Sequence, residues 1–132
     1  MIESILAGSL VCITFDAILH GLASHGHGPL DKIFQDNPSR RTTPLPLFNN
    51  VGWHVVSDAI AGAAIATLVI MAEGPHPAHW ALTGALAGFL MAAEWIHMFA
   101  ENELGWKLPL VLGLLSLTRS VLVALAAGAV YY

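Results

Sequence analysis

The sequence predicts an all-α integral membrane protein, folded as an up-and-down bundle of four transmembrane helices. Composition is the first observation: of 132 residues, 56% are hydrophobic and only 11% are charged, and the mean hydropathy is +0.68. A soluble domain carries about 25% charged residues. The second observation is that four apolar segments of membrane-spanning length are joined by polar segments. We therefore expect a single membrane domain over residues 1–132.

The predicted helices follow from these apolar segments, which cover approximately residues 2–23, 51–72, 80–100 and 108–131. A long polar loop, 24–50, separates the first two, and its glycines and prolines argue against a continuous helix. The other two connections are short. Small residues at four-residue spacing, such as Gly84 with Gly88 and Gly62 with Ala66, let neighbouring helices approach closely.

Basic residues predict the orientation of the bundle. Lys32, Arg40, Arg41 and Lys107 all lie in the first and third connections, and the second connection has no lysine or arginine. Because basic loops stay in the cytoplasm, we expect a multi-pass protein of a bacterial inner membrane with both termini outside. The net charge of −4 is spread over short loops, so nothing suggests nucleic-acid binding.

Ionisable residues inside the apolar segments point to a functional site. Such residues cost several kcal/mol in hydrocarbon unless they face a bundle interior and find partners, so they mark candidate sites. Here they form three pairs at helical spacing, which places both members of a pair on one helix face. The pairs are Asp16 with His20, His54 with Asp58, and Glu94 with His97.

The connectivity of an up-and-down bundle places the three pairs at similar depth. It predicts one layer of histidines near the cytoplasmic side, with the three carboxylates about one helical turn deeper. Arg119 is the only charged residue of the fourth segment and can reach back towards the carboxylates. We expect it to pair with one of them, and Asp16 or Glu94 is the preferred partner.

The first functional hypothesis is a metal site. Imidazoles and carboxylates on converging helices suit Zn, Fe, Mn or Cu. Two-metal helical bundles use inward Glu-x-x-His pairs, and Glu94 and His97 have that spacing. The predicted metal ligands are the six paired residues, with Glu94 and Asp58 also as catalytic groups. Predicted supporting residues are Arg119, Glu101, His25 and His27.

The expected chemistry is that of an oxidoreductase or a hydrolase acting on a lipophilic small molecule. A bound metal could activate water or dioxygen, with a spare carboxylate as general base. The short stretch in which Asp16 and His20 are followed by His25 and His27 resembles part of the metal-binding subunit of the membrane copper monooxygenases. No residue role is carried over from that resemblance.

Other interpretations of the same residues remain open. Two histidines on facing helices could ligate haem b, which would make the chain a redox subunit of a larger membrane complex. The carboxylates and histidines could instead form a proton or ion pathway. The plainest interpretation is structural: the polar residues bond one another and hold the helices together. In each case the expected partners are the lipid bilayer and either further copies of the chain or other membrane subunits.

Overall fold

The computed structural model describes residues 1–24, 47–102 and 107–132, and these ranges are helical throughout apart from short turns and ends. Four helices follow one another: α1 (Ile2–Ser24), α2 (Leu47–Met71), α3 (Pro77–Asn102) and α4 (Lys107–Tyr131). The predicted all-α bundle is confirmed. Two helices begin earlier than predicted, α2 by four residues and α3 by three.

The helices α1 and α4 lie side by side in opposite directions, as an up-and-down bundle requires. On α1 and α4, Ser4 donates to the Ala127 carbonyl and Asp16 pairs with Arg119. The fourth helix contacts all three others, whereas α1 and α3 make no contact in the described part of the chain. The first and third helices therefore lie on opposite sides of α2 and α4.

Glycines set the closest approaches between helices. A Cβ on Gly62 would lie 2.6 Å from the Gly8 carbonyl oxygen, so α1 and α2 touch through backbone at this level. On the other side of the bundle, a Cβ on Gly84 would lie 2.5 Å from the Ser120 carbonyl oxygen of α4. The small residues that the sequence marks for close packing are thus confirmed at these contacts.

Trp80 closes the end of the bundle where the α2–α3 turn lies. Its indole Nε1 donates to the Gly74 carbonyl at 2.6 Å, and its ring stacks on Tyr132 with the ring centroids 5.8 Å apart. The indole also fills the space beside Gly128. A core of apolar side chains lies between this end and the middle of the bundle: Cys12, Ile65, Val69, Val123 and Ala124.

Large aliphatic side chains cover much of the surface of the bundle. Buried positions include small and polar residues such as Ser4, Ser120 and Asp58, whereas large aliphatic side chains such as Leu90 and Ile60 are exposed. In the described residues, three helices contain a stretch long and apolar enough to cross a membrane: Ile2–Leu19, His54–Met71 and Pro109–Tyr131. Both observations indicate a multi-pass membrane protein.

Candidate functional site: an arginine shared by two aspartates

An arginine and two aspartates from three helices meet in the middle of the bundle. Arg119 is the central residue of α4, and Asp58 lies next to the central residue of α2. The Arg119 Nη1 atom donates to the Asp16 Oδ2 atom and to the Asp58 Oδ1 atom, the second at 3.4 Å. We call Asp16, Asp58 and Arg119 the Arg119 cluster.

The cluster is largely buried. The exposed fraction of the side chain is 13% for Arg119, 11% for Asp58 and 29% for Asp16. Both carboxyl groups contact the same Nη1 atom of Arg119. The neighbouring residue one turn before Asp16 on α1, Cys12, is fully buried. The site thus brings two like charges and one opposite charge together inside an apolar bundle.

The rest of the guanidinium group faces α3. Its Nη2 atom lies 4.0 Å from the Met91 sulfur, which also accepts a hydrogen bond from the Ser120 hydroxyl at 3.6 Å. The Arg119 Nε atom is buried and has no hydrogen-bond acceptor in the described part of the chain. The guanidinium therefore contacts both carboxylates through one nitrogen, Nη1.

Of the remaining predicted site residues, the three whose side chains the structure describes do not join this cluster. His54, Glu94 and His97 have exposed side chains. In the ranges that the structure describes, no group of three or more His, Cys, Asp or Glu side chains is placed to hold a metal ion. The side chains of His20 and Glu101 lie outside the described residues, and so do His25 and His27 entirely.

The sequence predicts that Arg119 pairs with a carboxylate, but it does not predict the geometry of the pairing. The prediction that Arg119 pairs with a carboxylate of the deeper layer is confirmed, and Asp16 is one of the two preferred partners. It did not anticipate that Asp58 would share the same nitrogen or that Met91 would contact the guanidinium. Met91 lies one helical turn before Glu94, so helical spacing from the charged pair could have indicated a residue at that level.

Comparison with known protein families, with curated proteins and with solved structures found no match to this chain.

Proposed function

We propose that the chain is a small membrane protein whose Arg119 cluster binds and releases a proton, acting as a proton-pathway subunit of a membrane complex. One observation carries this proposal: a single guanidinium nitrogen is shared by two aspartates at the middle of the bundle. The three helices that supply the cluster, α1, α2 and α4, each contain a stretch long and apolar enough to cross the bilayer, and we therefore expect the cluster to lie within the hydrocarbon layer.

Charge balance favours a proton at this site. Two ionised carboxylates and one guanidinium leave a net charge of −1, and an uncompensated charge inside a membrane costs several kcal/mol. Two carboxyl groups that share a site are also rarely ionised together, since each disfavours the charge of the other. One proton shared by Asp16 and Asp58 makes the cluster neutral. A purely structural ion pair would need only one carboxylate.

The arrangement of the neighbouring residues favours proton exchange from one end of the bundle. His54 lies one helical turn from Asp58 and has an exposed side chain at the end where α2 begins. Towards the other end, the apolar core and Trp80 fill the bundle. An imidazole is suited to hand protons to a carboxylate near neutral pH. Because apolar side chains fill that end of the bundle, protons do not pass through it to the other side of the membrane.

Infrared difference spectroscopy on the protein in liposomes tests the proposal. We expect the wild-type protein at neutral pH to show the C=O stretch of a protonated carboxyl group, shifted by exchange into D2O. Asp58→Asn and Asp16→Asn should each remove this band, because the remaining carboxylate then pairs with Arg119 alone. Glu3→Gln, which removes an exposed carboxylate of α1, is the control and should leave the band unchanged.

A wild-type spectrum without a protonated carboxyl band would refute the proposal. A band that persists equally in both asparagine variants would also refute it, since the proton would then lie elsewhere.

Metal binding is a second candidate, and its support is the helical spacing of Glu94 with His97 and of His54 with Asp58. Elemental analysis of the purified protein tests it, and a Soret band in the optical spectrum would identify haem instead. If these residues hold a metal, His54→Ala and His97→Ala lower the metal content. His79→Ala, near the opposite end, is the matched control. Equal metal content in all three variants would exclude these ligands.

A further inference from the structure

Two hydrogen-bond donors of α4 converge on the sulfur atom of Met91 on α3. The Arg119 Nη2 atom lies 4.0 Å from this sulfur, and the hydroxyl oxygen of the fully buried Ser120 lies 3.6 Å from it. Thr118, by contrast, donates to a carbonyl of its own helix, that of Leu114. A thioether is a weak acceptor, so the contacts with Met91 affect where the donors point more than they affect stability.

Close packing of α3 on α4 fixes the position of this sulfur. A Cβ on Gly84 would lie 2.5 Å from the Ser120 carbonyl oxygen, and a Cβ on Gly88 would lie 2.7 Å from the Leu117 Cα atom. Gly88 precedes Met91 by about one helical turn. Because the two backbones touch at both levels, α3 cannot move away from α4 without losing this packing, and Met91 stays beside the guanidinium.

The contact with Met91 leaves fewer guanidinium nitrogens for the aspartates. A guanidinium carries five N–H donors and can serve two carboxylates through separate nitrogens. Here Nη2 faces the sulfur, and the buried Nε atom has no acceptor among the described residues. Asp16 and Asp58 therefore meet at Nη1. A carboxylate with a nitrogen of its own would be better stabilised in its ionised form.

We propose that Met91 is a positioning residue for the Arg119 cluster. Its sulfur holds Nη2 on the α3 side, which keeps both aspartates on one nitrogen, so that one carboxyl group retains its proton. Without the sulfur, Nη2 turns towards Asp58, whose Oδ1 atom lies 3.4 Å from Nη1. Both carboxylates then have a nitrogen, and the cluster releases its proton at lower pH. The role of the proton rests on the proposed function, whereas the position of Nη2 does not.

Infrared titration of the protonated carboxyl band in liposomes tests the effect on the proton. Met91→Leu keeps the bulk of the side chain and removes the acceptor. Its band should reach half intensity at a pH lower by about one unit, an approximately tenfold change in proton affinity, because one carboxylate gains a charged hydrogen bond. Met91→Gln restores an acceptor, so its band should titrate as in the wild-type protein.

Met71→Leu is the matched control, since it makes the same exchange at an exposed methionine at the end of α2. Its band should titrate as in the wild-type protein. Circular dichroism confirms that each variant is folded.

Nitrogen-15 NMR of the arginine side chains reports the position of Nη2 whether or not a proton is bound. The chain has three arginines, and the Arg119 signals are those lost in Arg119→Lys. In the wild-type protein Nη1 and Nη2 should give two separate signals, because Nη1 contacts the carboxylates and Nη2 contacts the sulfur. In Met91→Leu the two signals should move closer together, since both nitrogens then contact a carboxylate.

Three outcomes would overturn the proposal. Half intensity at the same pH in Met91→Leu and in the wild-type protein would show that the sulfur does not affect proton affinity. Equal shifts in Met91→Leu and in either Met91→Gln or Met71→Leu would show that the acceptor is not the cause. Unchanged Arg119 signals in Met91→Leu would show that Met91 does not position the guanidinium.

Failure of the proposed function gives a different result. A wild-type protein without the carboxyl band would refute the proposed function and, with it, the role of Met91 in holding the proton. The Arg119 signals would still show whether Met91 positions Nη2.

Discussion

At the scale of single residues, Arg119 of α4 supplies the positive charge that stabilises the buried carboxylates of α1 and α2. Replacing it with leucine leaves two buried carboxylates without a cation. We expect Arg119→Leu to lower the free energy of unfolding by about 3–5 kcal/mol, the usual cost of removing one partner of a buried pair. Thermal unfolding in detergent, followed by circular dichroism, measures the loss.

A double-mutant cycle separates this effect from lost packing. In a protein that already carries Asp16→Asn and Asp58→Asn, no charge remains for Arg119 to neutralise, so Arg119→Leu should cost far less. Arg119→Lys keeps the charge but loses the planar fork, and we expect an intermediate stability. The same loss in both backgrounds would mean that packing of the arginine stem, and not the ion pair, stabilises the bundle.

The residues of the cluster show what a sequence can and cannot predict about a site. Depth follows from connectivity and helix rise, so the shared level of Asp16 and Asp58, within reach of the long Arg119 side chain, could be inferred. The direction in which each helix turns its side chains depends on packing, which spacing alone does not give. Glu94 has a suitable depth, but α3 turns Met91, and not Glu94, towards the guanidinium. The Glu94 carboxylate is therefore exposed and does not join the cluster.

At the scale of helices, glycine positions control how closely the backbones pack. Gly62→Ala places a methyl group 2.6 Å from backbone atoms of Gly8 and Ser9, which cannot move aside as a side-chain end can. We expect it to destabilise the protein by about 1–3 kcal/mol, as overpacking usually does. The measurement is thermal unfolding in detergent.

Gly52→Ala on the same helix is the matched control. A Cβ at Gly52 meets no atom within 4 Å, and alanine is the better helix former. This variant should be neutral or more stable by up to about 1 kcal/mol. Equal destabilisation by both substitutions would show that close contact between α1 and α2 is not what Gly62 provides.

Helix positions could be predicted from hydropathy almost completely, and helix ends less well. The early start of α2 at Leu47 illustrates why. The sequence predicts that Asn49 and Asn50 lie in the loop because they are polar, yet both belong to the helix, which extends beyond the apolar segment. Hydropathy indicates which residues lie in the hydrocarbon layer. The helix itself extends as far as its backbone hydrogen bonds continue, which can be beyond that layer.

At the scale of the whole molecule, membrane placement can be tested by thiol labelling. His76 lies in the turn between α2 and α3, and Ile60 is exposed near the middle of α2. A membrane-impermeant maleimide should label His76→Cys in membranes and should not label Ile60→Cys until detergent is added, because lipid covers that side chain. Similar labelling of both variants without detergent would contradict a membrane-spanning α2.

The same reagent tests the predicted orientation. The positive-inside tendency puts the α2–α3 turn on the outer side. Labelling of His76→Cys in intact cells is therefore expected, and labelling only in inverted vesicles would reverse the orientation.

The fourth helix follows the other three in the chain, yet it is the one that contacts all of them. A ribosome therefore delivers Asp16 and Asp58 to the membrane before it has made Arg119. During that interval both aspartates lack their cation. Because an unpaired charge is costly in hydrocarbon, we expect the newly inserted helices to stay beside the insertion machinery, where water can reach them. Arrival of the arginine ends this interval. The ion pair can form only after α4 has been made, so a chain interrupted before α4 would leave both aspartates without their cation.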